Sequence, residues 1–195
     1  MLDQELDTLR SLGPTAVTLG VFDGVHLGHQ HLFSHLIKVA QNNQVTPVVI
    51  TFSNHPLTVL NPDVSLSMLS TLDARIGFIR DFGIDQVVPI AFTRDLSILS
   101  PEEFIVNLRD RLNMTHLVVG PDFAVGYNRA GTIEVLQRLG EAHGFAVEIV
   151  PPYSLQGAMV NSTAIRAGLR AGDIFLASRY LGRPYDLEST VIRGE

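Results

Sequence analysis

The chain has no cysteine in its 195 residues. Disulfides, thiolate nucleophiles and thiolate metal ligands are thereby excluded. Lysine is nearly absent too: Lys38 stands beside 13 arginines, and acids outnumber bases 20 to 14. A net charge of −6 argues against a nucleic-acid surface. Any phosphate ligand must then be held by local groups and metal, not by a basic field. No apolar run approaches the roughly 20 residues that cross a bilayer. The opening MLDQELDTLRSLGP lacks a basic start followed by an apolar core, so no secretory signal is expected. A cytoplasmic protein with no membrane partner is the expectation. Repeats and low-complexity tracts are also missing.

What is present suits a well-buried globular chain: 46% hydrophobic and 17% charged residues. The length allows one good-sized domain, or one domain with an appendage. Strand-like and helix-like segments alternate. Apolar, β-branched runs predict strands over 17–22, 46–52, 86–90, 116–119 and 145–150. Between them, residues 28–42 place Leu32, Phe33, Leu36, Ile37 and Ala40 on one helical face. Residues 73–83 do the same with Ile76, Ile79 and Phe82, ending at Gly83. Ser100-Pro101-Glu102-Glu103 is a capping box that opens a helix with Phe104, Ile105, Leu108 and Leu112 inward. Residues 132–143 read as a further helix. The fold class is therefore α/β: a five-stranded, mostly parallel, Rossmann-like sheet covered by helices on both faces. After Pro151-Pro152 the alternation stops. Two short helices are expected at 162–171 and 173–181, then Gly182-Arg183-Pro184-Tyr185 and a β-like piece at 187–192.

Ligands of such folds sit at the carboxyl ends of the strands, near the switch in strand order. The residues from Gly20 to His29, GVFDGVHLGH, fall at that edge. His26 and His29 flank Gly28 where strand hands over to helix. A helix N-terminus offers unpaired N–H groups and a positive dipole end. Gly24 and Gly28 let a ligand approach the backbone. The imidazoles add donors that can follow charge developing on a phosphate. Asp23 either forms the Asp-Gly turn, orients the loop or holds a metal-bound water.

Three further stretches carry chemistry. In Asn161-Ser162-Thr163-Ala164-Ile165-Arg166, Ser162 or Thr163 can cap a helix and donate to a phosphate, and Arg166 can take one bidentately. Read alone, the hydroxyls could be caps and nothing more. Residues 120–131 form a glycine-punctuated loop after the fourth strand, either structural or ligand-contacting. Thr51-Phe52-Ser53-Asn54-His55-Pro56 follows the second strand, where His55 could equally sit in a buried turn.

The decapeptide at 20–29 resembles the nucleotidyltransferase superfamily with the HxGH motif. It is most similar to the bacterial FAD synthetase branch, the adenylyltransferase half of bifunctional riboflavin kinase/FMN adenylyltransferases. The NSTAIR string resembles that family's SSTxxR motif, with Asn161 in place of serine. Gly120, Asp122, Phe123, Gly126, Arg129 and Gly131 match its GxDFxFGxxRxG loop, with Val125 where an aromatic is usual. Residues 51–56 are similar, more loosely, to its TFxPHP segment.

The resemblance implies transfer of AMP from ATP to FMN, giving FAD and pyrophosphate by direct in-line attack. It implies that His29 contacts the α-phosphate, that His26 serves the triphosphate, and that Arg166 holds the β- and γ-phosphates. Gly20, Phe22, Asp23, Gly28, Gly120, Asp122, Asn161, Ser162 and Thr163 complete the implied ATP side. Phe52, Asn54, His55, Pro56, Phe92, Phe123 and Arg129 form the implied FMN side. Mg²⁺ is expected with ATP, held by substrate phosphates with few protein ligands, so no metal ligand is named. The LGRPY string resembles the junction into a riboflavin kinase domain. Residues 1–182 are thus expected to be the adenylyltransferase domain, and 183–195 the start of a linker to a kinase partner domain.

Alternatives remain at this point. A sister enzyme, such as phosphopantetheine adenylyltransferase or a cytidylyltransferase, tends to carry GTFDPxHxGH; here Gly24-Val25 follows Asp23. A class I aminoacyl-tRNA synthetase would need a longer chain and a lysine-rich second motif. A flavin- or nucleotide-binding module without catalysis would not need both histidines and Arg166.

Overall fold

A computed structural model describes residues 13–187. In chain order the elements are β1 (Thr15–Gly20), α1 (Leu27–Asn43), β2 (Thr46–Phe52), α2 (Pro56–Leu60), α3 (Leu72–Asp81) and β3 (Gln86–Ile90). There follow α4 (Arg94–Ser97), α5 (Pro101–Leu112), β4 (Met114–Val119), α6 (Ile133–His143) and β5 (Ala146–Ile149). A short hairpin, β6 (Ser154–Leu155) and β7 (Ala158–Met159), precedes α7 (Ser162–Arg170) and α8 (Ile174–Leu181). All but residue 187 of the expected last β-like piece lies outside the described residues.

The sheet has five parallel strands in the order β3-β2-β1-β4-β5. The chain fills one side of β1 and then crosses to the other, so the switch in strand order lies between β1 and β4. The side chains of β1 alternate between two apolar clusters. Val17 and Leu19 join Ile105, Leu108, Leu112 and Leu136 on the α5–α6 face. Ala16 joins Phe33, Leu36 and Ile79 on the α1–α3 face. A third cluster, with Ile165, Ala177, Tyr180 and Leu181, packs α7 and α8 together beside the sheet.

Local chemistry sets the element ends. The capping box of α5 forms: Ser100 accepts from Glu103 N–H, and the Glu103 carboxylate accepts from Ser100 N–H. Its inward residues Phe104, Ile105, Leu108 and Leu112 are all buried. Truncating any one to alanine is expected to cost about 2–5 kcal/mol. Helix α3 stops at Asp81, shorter than expected, because Gly83 leaves helical space at φ 101° and its amide turns back to Arg80 O instead of continuing the i→i−4 series. Strand β4 begins at Met114, two residues before the expected start, where the Thr15 amide donates to Asn113 O. No helix among the described residues is long and apolar enough to cross a membrane.

Candidate active site

The loop after β1 begins where the sheet ladder can no longer be extended. Gly20 pairs with Thr51, but the next carbonyl, Val21 O, is taken by side chains. Arg75 Nη1 donates to it at 2.6 Å and Thr51 Oγ1 at 3.0 Å. The strand therefore does not continue to Phe22 as expected. Instead Phe22 turns left-handed at φ 51°, followed by Gly24 at φ 75° and Val25 at φ 42°. A β-branched residue at positive φ is held only where its surroundings over-determine it, at a cost of about 1–3 kcal/mol.

Asp23 supplies much of that determination. Its Oδ1 accepts from the Leu69 and Ser70 amides at 2.8 and 3.2 Å, while Gly24 N–H donates to Ser70 Oγ at 3.1 Å. Its Oδ2 accepts from Arg166 Nη1 at 2.7 Å. Ser162 Oγ donates to the Asp23 carbonyl at 3.1 Å. Of the alternatives open for Asp23, orienting the loop is the one its contacts match, since both carboxylate oxygens are engaged. Burial pushes the carboxyl above its ordinary range, and the two amides, Arg166 and Arg75 oppose that.

Gly24 serves packing rather than ligand approach, contrary to expectation. A Cβ there would meet Leu69 and Leu181 at 3.0–3.2 Å. At Gly28 a Cβ would meet Val160 O at 3.0 Å and the His26 ring at 3.1 Å, so a glycine lets both close in.

His26 caps α1: its Nδ1 accepts from His29 N–H at 3.3 Å. An accepting Nδ1 leaves the proton of the neutral ring on Nε2, which is then a donor. The His26 and His29 rings stack at 3.6 Å between centroids, 20° from parallel. Phe22 meets His29 edge-on at 5.2 Å. Burial pushes His26 down from 6.5 to about 4, and Arg166 and Arg183 add to that. Burial first, then His26 and Arg75, holds His29 well below the ordinary histidine range. Both rings are neutral at pH 7. They act as directed hydrogen-bonding groups, not as cations.

Beside this pair opens a cavity of about 320 Å³. Phe22, His26, Gly28 and His29 line one side, and Gly120, Asp122 and Phe123 come from the loop after β4. It lies at the β1–β4 switch and its walls are mainly apolar, as those of small-molecule pockets usually are. Gly20, Asp23, Asn161, Ser162, Thr163 and Arg166 do not line it. Asn161, not Ser162 or Thr163, caps α7: extended at φ −149°, it accepts from Ala164 N–H at 2.8 Å. Ser162 is thereby freed to bond Asp23, and Thr163 is exposed.

Of the flavin-side set, only Phe123 lines this cavity. Past β2 and β3, Phe52 and Phe92 meet edge to face at 5.4 Å. Asn54 bonds both backbone groups of Phe92, donating to O at 2.9 Å and accepting from N at 2.8 Å. His55 caps α2 ahead of Pro56, its Nδ1 accepting from Leu57 N–H at 3.1 Å. Burial lowers His55, and Arg166 and Arg75 lower it further while Asp23 raises it. This loop therefore lies within electrostatic reach of the Asp23–Arg166 pair. Arg129 donates to Asp122 O at 2.8 Å, tying its loop to itself. Val125 is buried in the core and pairs with Gly131, which accounts for an aliphatic side chain there.

Sequence reasoning missed Arg75, which is 1% exposed and also donates to Phe52 O at 2.7 Å and to Thr51 Oγ1 at 3.1 Å. Its spacing of four from the inward Ile79 was the available signal. It also missed Thr18, Tyr153, Met159 and Val160, which are among the other residues of the cavity wall. Among the described residues, no group of three or more His, Asp or Glu could hold a metal ion.

The profile of the family described as FAD synthetase matches residues 9–164. This chain belongs to the FAD synthetase family. A bifunctional riboflavin kinase/FMN adenylyltransferase of Buchnera aphidicola subsp. Schizaphis graminum is 39% identical over 182 residues, covering 92% of this chain and 58% of that protein. An enzyme of the same description from Pseudomonas fluorescens is 37% identical, covering 91% and 57%. The FAD synthetase of Listeria monocytogenes serovar 1/2a is 31% identical, covering 92% and 73%. The chain thus spans a little over half the length of the two bifunctional relatives, and more of the third. A solved structure described as a macrolide-efflux protein from Streptococcus pneumoniae superposes with a TM-score of 0.80 at 27% identity, covering 91% of this chain and 59% of that one.

Proposed function

We propose that this chain is an FMN adenylyltransferase, transferring AMP from ATP to FMN to give FAD and pyrophosphate. Membership of the FAD synthetase family supports the activity. The observation that carries the reaction's geometry is one convergence. A stacked neutral imidazole pair, the N-terminus of α1 and the Ser162–Asp23–Arg166 contacts meet beside a cavity at the β1–β4 switch.

FMN brings its own nucleophile, an ionised phosphate oxygen. In the proposed step that oxygen forms a bond to the α-phosphorus of ATP, and the bond from that phosphorus to the β-phosphate's bridging oxygen breaks. The chain supplies alignment and charge stabilisation, which is most of what phosphoryl transfer requires. His29 and the Nε2–H of His26 donate to the α-phosphate and triphosphate oxygens as charge builds. Arg166, held by Asp23, faces the β- and γ-phosphates. Phe22, Gly28, Gly120 and Asp122 hold the nucleoside, Gly20 lies against the Phe22 ring behind them, and the tip of α7 at Asn161, Ser162 and Thr163 completes the ATP side. Phe52, Asn54, His55, Pro56, Phe92, Phe123 and Arg129 form the flavin side. Because both oxygens of Asp23 are engaged, Mg²⁺ would arrive on the triphosphate rather than on a protein cage. Residues 1–182 make up the proposed domain, with 183–195 leading toward a riboflavin kinase domain. A cytoplasmic location belongs to the same proposal.

Incubation with FMN and Mg-ATP, followed by chromatography and a pyrophosphate assay, tests this. FAD and pyrophosphate in equal amounts are expected. Turnover with phosphopantetheine instead of FMN would move the chain to a sister enzyme. Flavin binding without any FAD would overturn the catalytic reading.

A further inference from the structure

The LGRPY string leaves one feature that the proposed chemistry does not use. Arg183, just past α8, reaches back to the turn that carries the histidines. Its Nη2 donates to Gly24 O at 2.8 Å and its Nη1 to Val25 O at 3.4 Å. The guanidinium lies over the Phe78 ring, 3.6 Å from its centroid. Neighbouring contacts make the same connection. Gln30 Nε2 donates to both Val25 O at 2.9 Å and Leu181 O at 3.0 Å. At Gly182 a Cβ would come within 2.7 Å of Leu27.

The carbonyls that Arg183 grips belong to residues at φ 75° and φ 42°. Buried carbonyls need donors, and here side chains supply them: Arg183 at Gly24 O, and Gln30 together with the longer Arg183 contact at Val25 O. Val25 O is followed directly by His26, whose Nδ1 caps α1. A shift of that carbonyl changes the direction of both imidazoles. A planar, stacked fork suits this task, whereas a lysine could reach one carbonyl and could not lie flat on Phe78.

We propose that Arg183 is a positioning residue: it holds the Gly24 and Val25 carbonyls, fixes the left-handed turn and so aims His26 and His29. It touches no substrate. The segment at 183–187 is thereby mechanically joined to the phosphate-facing turn, and displacing that segment loosens the pair. The effect on turnover rests on the adenylyltransferase reading; the effect on the turn does not.

The test uses the whole chain with Arg183→Ala and Arg183→Lys, with Arg179→Ala as a control on the exposed face of α8. Amide hydrogen exchange at Val25 and His29 reports on the turn, since those N–H groups bond Phe22 O and His26 Nδ1. Both variants are expected to exchange at least about tenfold faster there, with the amides of β1, β2 and β4 unchanged. FAD formation should lose about ten- to a hundredfold in kcat, with KM for ATP and FMN within about threefold. The Arg179 control should match wild type in both. Wild-type exchange at Val25 and His29, or acceleration spread evenly over the sheet, overturns the proposal. If Arg183→Ala does not fold, Arg183→Lys decides by the same criteria. If wild type makes no FAD, the catalytic reading fails by itself and the exchange result still decides whether Arg183 holds the turn.

Discussion

The loops after β1 and β2 leave the same edge of the sheet, and each carries histidine. They use their polar atoms differently. In the β1 loop, strained backbone is held from outside, by Ser70, Arg166, Ser162 and the Leu69 amide, through Asp23 and Gly24. That support leaves the Nε2 of His26 and the His29 ring beside the cavity. In the β2 loop the side chains hold their own surroundings. Asn54 is spent at both ends on Phe92, Ser53 Oγ on Ile90 O, and the Nδ1 of His55 on Leu57. His26 and His55 each give Nδ1 to a following amide, so the contrast lies in the other polar groups. Asp23 is met by segments far along the chain, whereas Asn54 and Ser53 bond the neighbouring strand end. A side chain is free for ligand chemistry when other segments satisfy the turn it sits on.

The strongest way to break the contrast is to remove its keystone. Asp23→Ala leaves Arg166 without its partner and two amides without acceptors. A stability loss of about 3–5 kcal/mol is expected in denaturant unfolding. A loss below about 1 kcal/mol would mean the turn is held by something else. His29→Ala should cost less stability than Asp23→Ala, about 1–2 kcal/mol for the lost ring packing, and cut kcat for FAD formation by about 10²–10³. Activity within a few-fold of wild type would deny His29 its role.

The pH dependence of stability comes next. In the folded chain burial holds His26 near 4, while the unfolded chain takes up that proton near 6.5. Between those values the unfolded state binds more protons. The contribution is therefore complete above pH 6.5 and is lost as pH falls toward 4, on the order of 3 kcal/mol. NMR titration of the ring checks it directly, and a midpoint near 6.5 would contradict the burial argument.

Asn54→Ala sharpens the other side of the contrast. It should cost about 1–3 kcal/mol of stability by freeing both backbone groups of Phe92. Turnover at saturating FMN should change far less than for His29→Ala. The smallest effect belongs to His55→Ala, about 1 kcal/mol or less from a lost cap on a single-turn helix. A larger fall in kcat than for His29→Ala would invert the comparison.

The sheet was legible because its signals are local. The β-branched runs at Thr46–Phe52 and Gln86–Ile90 end where the sequence pattern ends them, and the Ser100–Glu103 box forms as its spacing requires. The single-turn helices α2 and α4 were not legible, since five and four residues show no period. Of the cavity's lining, His26, Gly28, His29, Gly120 and Asp122 were legible through two motifs, one in the loop after β1 and one in the loop after β4. The partners of Asp23 were not, because nothing in Leu69-Ser70 announces that its backbone will reach a carboxylate 46 residues away. The strand end at Gly20 was misjudged for a similar reason: Phe22 is as apolar as a strand residue, but Arg75, far along the chain, takes the carbonyl that would have continued the ladder.

The central claim is that the β1 turn, not the β2 loop, receives the reacting phosphate. A crystal structure with FMN and a non-hydrolysable Mg-ATP analogue tests it most directly. The account expects an α-phosphate oxygen at hydrogen-bond distance from the ring nitrogens of His26 or His29, with the adenine in the cavity beside Gly120 and Asp122. An α-phosphate seated instead on Asn54 and His55, with the stacked imidazoles untouched, would contradict it.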